Sequence, residues 1–349
     1  MEKEIIARII GLVLIPFFVV VLIMPLIKKI ALHVNALDIP NERKVHKFPI
    51  PRLGGLAIYA GFLVGYMVFG EPTAIMNSIL IGSFILVLTG VLDDIKPLKP
   101  FPKFVGQTLA CLVVIVYGGI LIKDIDAFGF YFNFGMFSYP LTLFFMLGCI
   151  NSLNFIDGLD GLASGIAAIF FLSIGIIAAC RCQLDLSFLM TFIMLGSCMG
   201  FLFYNFHPAS IFMGDSGSMF LGFVMSIITI LGYKNVMLSS LIIPLLLLSV
   251  PIFDTIFAIL RRKIKGESIS KPDKSHIHHQ FLKRGFSQVG TVITIYIITF
   301  LFAAASVIYV LVNAVLGYAI YGLMLVGLIF FALKTDIIFP RKDKKIIKK

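Results

Sequence analysis

The sequence predicts an all-α, polytopic integral membrane protein. Three observations predict it: 59% of the 349 residues are hydrophobic, the mean hydropathy is +1.03, and long uncharged runs recur from one end to the other. A spanning helix needs roughly 20 apolar residues, whereas a membrane β-barrel would show short alternating segments. A soluble chain of this length would rarely be so apolar.

Taken in order, the runs near 9–27, 53–70, 75–92, 104–122, 136–153, 162–180, 187–204, 217–233, 237–260, 289–311 and 314–333 predict about eleven transmembrane helices. The number is ten if one of the short, glycine-containing runs does not cross. The first run is long for a secretory leader and is followed by Lys28 and Lys29, not by a small-residue cleavage site, so it reads as a retained helix. Residues 123–133 read as an outer loop with a short hairpin. Residues 261–288 form the longest polar connection, with a short helix near 280–284. Neither a long linker nor an internal repeat divides the chain. Residues 1–333 therefore read as one transmembrane domain and 334–349 as a basic cytoplasmic tail. The five cysteines lie in or beside apolar runs without metal-ligand spacing, so they read as packing residues.

The net charge is +11. In a chain of this class a basic balance marks loops beside anionic lipid, and nucleic acid is not an expected partner. With the N-terminus outside, 24 of the 29 Lys and Arg fall in inner loops and five in outer ones. The positive-inside rule therefore predicts an outer N-terminus and a cytoplasmic C-terminus. Every acidic cluster and the histidine cluster then fall on the cytoplasmic face. A carboxylate near lipid is costly, so acids gathered at segment ends predict one composite site at the inner membrane surface.

Asp93 and Asp94 end the third helix. Adjacent carboxylates repel, which suits a metal site or a base working on phosphate, against the plainer reading of a solvated acid pair. Lys96, Lys99 and Lys103 follow and can hold phosphate oxygens. In the run 151–165, Asn154, Asp157 and Asp160 are spaced three apart and would share a face on a helical turn. Gly158 and Gly161 would let the backbone approach a ligand. The plainer reading is a polar helix junction, but that run holds no basic residue to neutralise its acids. In the run 212–218, Asp215 opens the eighth helix beside two hydroxyls; a helix N-terminus with free N–H groups favours anions, and the plainer reading is that Asp215 simply caps the helix. Asn205 and Phe212 could present an amide and a ring face to a base, although a core phenylalanine is commoner. His276, His278 and His279 sit among basic residues, which favours an anionic ligand over zinc. Lys44 and His46 lie in the first inner loop with Asp38, where basic residues are usually topology signals or lipid-facing charges. Asp254, inside the ninth helix, is equally a satisfied polar contact or a site residue.

These motifs, in this order, resemble the polyprenyl-phosphate N-acetylhexosamine-1-phosphate transferases, among them the MraY, WecA and TagO enzymes. The resemblance spans nearly the whole chain: RKVHKFPIPRLGG, GVLDDIKPLKPFPKFVGQ, NSLNFIDGLDGLASG, NFHPASIFMGDSGSMFLG and KSHIHHQFLKRG. The last motif reads HIHHQF where the MraY branch has IHHHF, which is closer to WecA and TagO. The resemblance implies a bacterial inner-membrane enzyme that transfers GlcNAc-1-phosphate from UDP-GlcNAc to undecaprenyl phosphate, with Mg²⁺ as cofactor and Mn²⁺ able to substitute. UMP leaves, and the lipid-linked product starts teichoic acid, O-antigen or other envelope glycan synthesis. It implies Asp93, with Asp94, as catalytic acids and Asp215, with Asp94, as metal ligands. Asn154, Asp157, Asp160, Asn205, Phe212, His276, His278 and His279 would meet the donor. Lys44, His46 and Lys103 would meet phosphate or acceptor, and a homodimer is allowed. Transfer of MurNAc-pentapeptide-1-phosphate is the alternative within the family. An ion-coupled transporter is the alternative outside it, but it would place acids nearer mid-helix and show related halves.

Overall fold

The computed structural model describes residues 2–40, 48–127, 130–235, 248–264 and 276–334. Each apolar run contains a helix among its described residues, and the chain is an all-α polytopic membrane protein. The helices are α1 (Glu2–His33), α2 (Gly54–Phe69), α3 (Ala74–Ile95), α4 (Pro100–Leu112), α5 (Ser138–Ile156), α6 (Leu162–Cys180), α7 (Leu186–Asn205), α8 (Gly214–Asn235), α9 (Ser249–Ile264), α10 (Ile277–Lys283), α11 (Gln288–Leu311) and α12 (Ala314–Lys334). Among the described residues, eight helices are long and apolar enough to cross a membrane. The first part of the ninth expected run, the loop holding Lys44 and His46, and the basic tail lie outside the described residues.

Several boundaries differ from the sequence expectation for local reasons. Helix α4 starts at Pro100, because proline fits a first turn where its missing N–H costs nothing. It closes in a π-helical turn, Val113–Tyr117, and Gly119 at φ +62° turns the chain out of the helix, so residues 120–122 are not helical as expected. Strands Asp124–Ala127 and Phe130–Asn133 pair antiparallel as the expected hairpin. The expected short helix of the last polar connection is α10.

Helix α8 is the hub. It is 89% buried across its span, against 22% for α1, which leaves α1 to face lipid. It packs on α2, α3 and α5. Close approach at its first turn needs glycine on both sides. A Cβ on Gly55 would overlap the backbone of Gly217, one on Gly90 would overlap Ser216, and one on Gly217 would lie 2.8 Å from the Gly55 Cα. A backbone strap fixes the same corner. The Phe212 N–H donates to the Pro51 carbonyl (2.7 Å), and the N–H groups of Gly54 and Gly55 donate to the carbonyls of Phe212 and Met213 (both 2.9 Å). The strap holds Arg52 beside the start of α8.

A methyl group at Gly55 has only backbone to push against. Gly55→Ala should therefore lower stability by about 1–3 kcal/mol, read as an earlier melt of the protein in nanodiscs. Gly148→Ala, on a helix position with nothing within 4 Å, should melt at or slightly above the wild-type temperature.

Candidate active site

The ends of α3 and α5 and the start of α8 bring the acids together. Asp94, on the last turn of α3, has both carboxylate oxygens engaged. Oδ1 accepts from the Asp215 N–H (2.8 Å) and from Arg52 Nε (3.2 Å), and Oδ2 accepts from the Ser216 N–H (3.1 Å) and Ser216 Oγ (2.8 Å). The first N–H groups of a helix have no partner within it and carry its positive dipole end. Asp94 supplies that partner from another helix, so the cap of α8 is not Asp215. Gly214, at φ +72°, makes the turn into the helix against the Asp94 carboxylate, where a side chain would be strained.

Asp215 is thereby left with ion pairs. Its carboxylate meets Lys103 Nζ on one side and Arg52 Nη2, at 3.5 Å, on the other. Lys103 Nζ also lies 3.4 Å from Asp93 Oδ2, while Asp93 Oδ1 accepts from the Leu98 N–H at 2.8 Å. Carboxylate oxygens from Asp93, Asp94 and Asp215 all lie within 4.8 Å of one another. These three carboxylates face two cations, Arg52 and Lys103, so by formal charge the acids outnumber the bases by one. An all-oxygen set of this charge fits a hard divalent cation, which takes one or two carboxylates and completes its shell with water and substrate phosphate.

A cavity of about 310 Å³ opens on this cluster and reaches Asp215, Arg52 and Asp38. Asn154, Asp157, Asp160, Asn205, Phe212 and His279 line it as well. They do not share one helical face, contrary to expectation for the first three, because α5 ends at Ile156. Asp157 and Asp160 stand in the turn before α6, where Gly161 at φ +78° reverses the chain. Burial, and then the charge of Asp215, push the Asp157 carboxyl up to about 7.

Several cavity residues are also fastened to the protein. Asn205 Oδ1 accepts from the Gly161 N–H (3.0 Å) and Ser164 Oγ (3.1 Å), and its Nδ2 donates to the Ile211 carbonyl (3.0 Å). Asp160 Oδ2 pairs with His207 Nδ1 (2.8 Å) and accepts from the Ala209 N–H (3.1 Å). Asn154 Nδ2 donates to Ser218 Oγ (2.8 Å). Asp93, Asp94 and Lys103 are not among the residues that line the cavity; Asp94 and Lys103 contact Asp215, which does, and Asp93 pairs with Lys103.

The histidines separate. His279 is at the cavity, whereas His276 is buried on Asp254. His278 is buried against Gly158, where a Cβ would lie 2.6 Å from its Nε2. Burial, and then neighbouring His279, push the His278 imidazole down to about 3. It is therefore neutral near pH 7, a hydrogen-bonding group and not the phosphate-attracting charge that its basic sequence surroundings suggest. Arg52 and His207 were not singled out by sequence. Arg52 had a signal in its place just before the paired glycines Gly54 and Gly55. His207 had only its place in a loop without Lys or Arg.

Residues 76–233 match the family model described as glycosyl transferase family 4. The chain is 41% identical to the probable undecaprenyl-phosphate N-acetylglucosaminyl 1-phosphate transferase of Bacillus subtilis over 313 residues, 88% of this chain and 87% of the relative. The chain belongs to the polyprenyl-phosphate N-acetylhexosamine-1-phosphate transferase family. Other members match over most of the chain. The decaprenyl-phosphate N-acetylglucosaminephosphotransferase of Mycolicibacterium smegmatis is 33% identical, with 81% of this chain and 78% of the relative covered. The undecaprenyl-phosphate alpha-N-acetylglucosaminyl 1-phosphate transferase of Escherichia coli K12 is 30% identical, with 80% and 78% covered.

For Asp157 the folded value lies above the unfolded one, so its neutral form stabilises the fold below about pH 4 and that contribution is lost as pH rises through about 7. The melting temperature of the wild type should fall more between about pH 5 and about pH 8 than that of Asp157→Asn. Equal slopes would show that Asp157 is already ionised in the folded protein.

Proposed function

We propose that this protein transfers GlcNAc-1-phosphate from UDP-GlcNAc to undecaprenyl phosphate at the cytoplasmic face of a bacterial membrane, releasing UMP and starting envelope glycan synthesis. The observation that carries the reading is the cluster of Asp93, Asp94 and Asp215 with Lys103 and Arg52, opening on a cavity at the ends of spanning helices. The names of the three relatives, all acting on a polyprenyl phosphate with N-acetylglucosamine, support the same substrates. The placement of the basic loops supports the cytoplasmic side.

The chemistry follows from charge. Both substrates carry phosphates, so bringing them together requires positive charge and hydrogen-bond donors. Asp215 would hold Mg²⁺, or Mn²⁺ in its place, together with donor phosphate oxygens. The bound cation would neutralise the diphosphate as UMP leaves. Asp93 Oδ2 takes the proton of the acceptor phosphate. The freed oxygen forms a new P–O bond to the sugar-bearing phosphorus, and the bond to the oxygen kept by UMP breaks. Direct attack is favoured because a phosphate acceptor needs little activation. Lys103 moves between Asp93, Asp215 and phosphate oxygens as charge redistributes. Asp94 holds the first turn of α8, and through it Asp215, so its part is positional. Asp157, Asp160, Phe212 and His279 receive the donor within the cavity. The acceptor keeps its tail in lipid and its phosphate at the headgroup level, the level of the cluster.

Purified protein in nanodiscs with undecaprenyl phosphate, UDP-GlcNAc and Mg²⁺ should release UMP, and chelation should stop it. Asp93→Asn and Asp215→Asn should each cost about a hundredfold or more in turnover. Full activity in either variant would remove that residue from the chemistry. Sugar uptake into proteoliposomes without UMP would replace the transferase with a carrier.

A further inference from the structure

Asp254 lies on α9 and is 1% exposed. Its Oδ2 is 2.7 Å from His276 Nδ1, and its Oδ1 accepts from the Ile277 N–H at 2.7 Å. Ile277 opens α10, a helix of seven residues whose own N-cap residue, His276, makes no side-chain capping bond. So short a helix is not stable alone, and its first N–H groups need an outside acceptor. Asp254 provides one across a gap of more than twenty residues, and with its second oxygen it fixes the ring of the cap residue.

Contacts continue from that ring toward the cavity. His276 sits between Phe155, with ring centroids 6.3 Å apart, and His278, stacked in parallel at 5.8 Å. His278 in turn meets His279 at 4.3 Å and bears on Gly158, and both of those residues line the cavity. The His278 Nδ1 is buried and has no hydrogen-bond partner among the described residues. A buried ring nitrogen left unpaired is costly unless a ligand atom or water completes it.

We propose that Asp254 is a positioning residue for the donor site: by holding His276 and the first turn of α10, it sets the rings of His278 and His279 beside Gly158 at the cavity edge. The carboxylate accepts the His276 Nδ1 proton, so the free nitrogen of that ring is Nε2. The kinetic part of the proposal rests on the transfer reading above; the structural part does not.

The test uses the full-length protein in nanodiscs with Asp254→Ala, Asp254→Asn, His276→Ala and the double Ala variant. Hydrogen exchange over 276–283 should quicken in Asp254→Ala while exchange at the start of α8 stays as in wild type. In UMP-release assays, Asp254→Ala should raise the KM for UDP-GlcNAc about tenfold or more and move the KM for undecaprenyl phosphate less than twofold. Asp254→Asn should recover part of this, because its amide can still accept from Ile277 and can donate to a His276 ring carrying its proton on Nε2. The double Ala variant should be no worse than Asp254→Ala alone, since both changes break one unit. Unchanged exchange over α10 overturns the inference whatever the activity. A purely kcat effect, equal changes in both KM values, or additive single effects overturn the positioning role. Wild-type protein that releases no UMP would instead overturn the transfer reading, and the exchange arm would still decide whether Asp254 holds α10.

Discussion

The carboxylate of Asp94, buried at the end of α3, closes the first turn of α8, and the rest of the site depends on this interaction. Burying a charge is costly unless it is paired and hydrogen-bonded. Here both oxygens are satisfied, by two backbone N–H groups, the Ser216 hydroxyl and the Arg52 guanidinium. The bond pattern also decides what Asp215 can do. An aspartate in a first turn would ordinarily serve its own helix. With those N–H groups already taken, the Asp215 side chain turns to Lys103, Arg52 and the cavity. Glycines on α2, α3 and α8 permit the close helix approach that brings Asp94 within reach.

The same device recurs. Asp160 fastens the 207–209 turn, Asp254 fastens α10, and Asp93 gives one oxygen to the Leu98 N–H. Acids that look alike in sequence therefore divide by how much of each carboxylate the backbone uses. Asp94 and Asp254 are fully committed to protein partners. Asp93 and Asp160 each direct one oxygen to a backbone N–H. Asp215 meets cations, and Asp157 lines the cavity with its carboxyl pushed up to about 7 by burial and by Asp215. A site that, as proposed, accepts a polyanion and a divalent cation needs rigid walls and carboxyl groups not spent on the backbone, and this division supplies both.

The all-helical class, the helix order and the hairpin were legible because each follows from local pattern: apolar run length, proline in a first turn, glycine at a turn. That Asp93, Asp94, Asp157, Asp160 and Asp215 would come together was an expectation drawn from loop charge, and they do gather around one cluster and cavity. What could not be read was which oxygen goes where. Spacing suggested one helical face for Asn154, Asp157 and Asp160, yet Gly161 reverses the chain there and the three meet through a turn. Asp215 looked like its own helix cap because nothing local announces that Asp94 arrives from α3, more than a hundred residues away. Arg52 and His207 share that difficulty, since their partners are distant in sequence. The neutral state of His278 depends on burial, which its basic neighbours in sequence conceal.

The location of the site follows from the same physics. Charged groups are tolerated where helix ends meet water, and a lipid-tethered phosphate travels at that depth. The cap on α8 fixes the charged end of the hub helix. The most direct measurement is therefore the thermal melt of Asp94→Ala beside that of Asp93→Ala, both in nanodiscs. Removing Asp94 leaves the Asp215 and Ser216 N–H groups without their acceptor and takes one of three carboxylate partners from Arg52, a loss of about 3–5 kcal/mol, and should lower the melting temperature by about 10 °C. Asp93→Ala should melt within a few degrees of wild type, about a third of that loss or less. An Asp94→Ala protein that melts with the wild type would contradict the account.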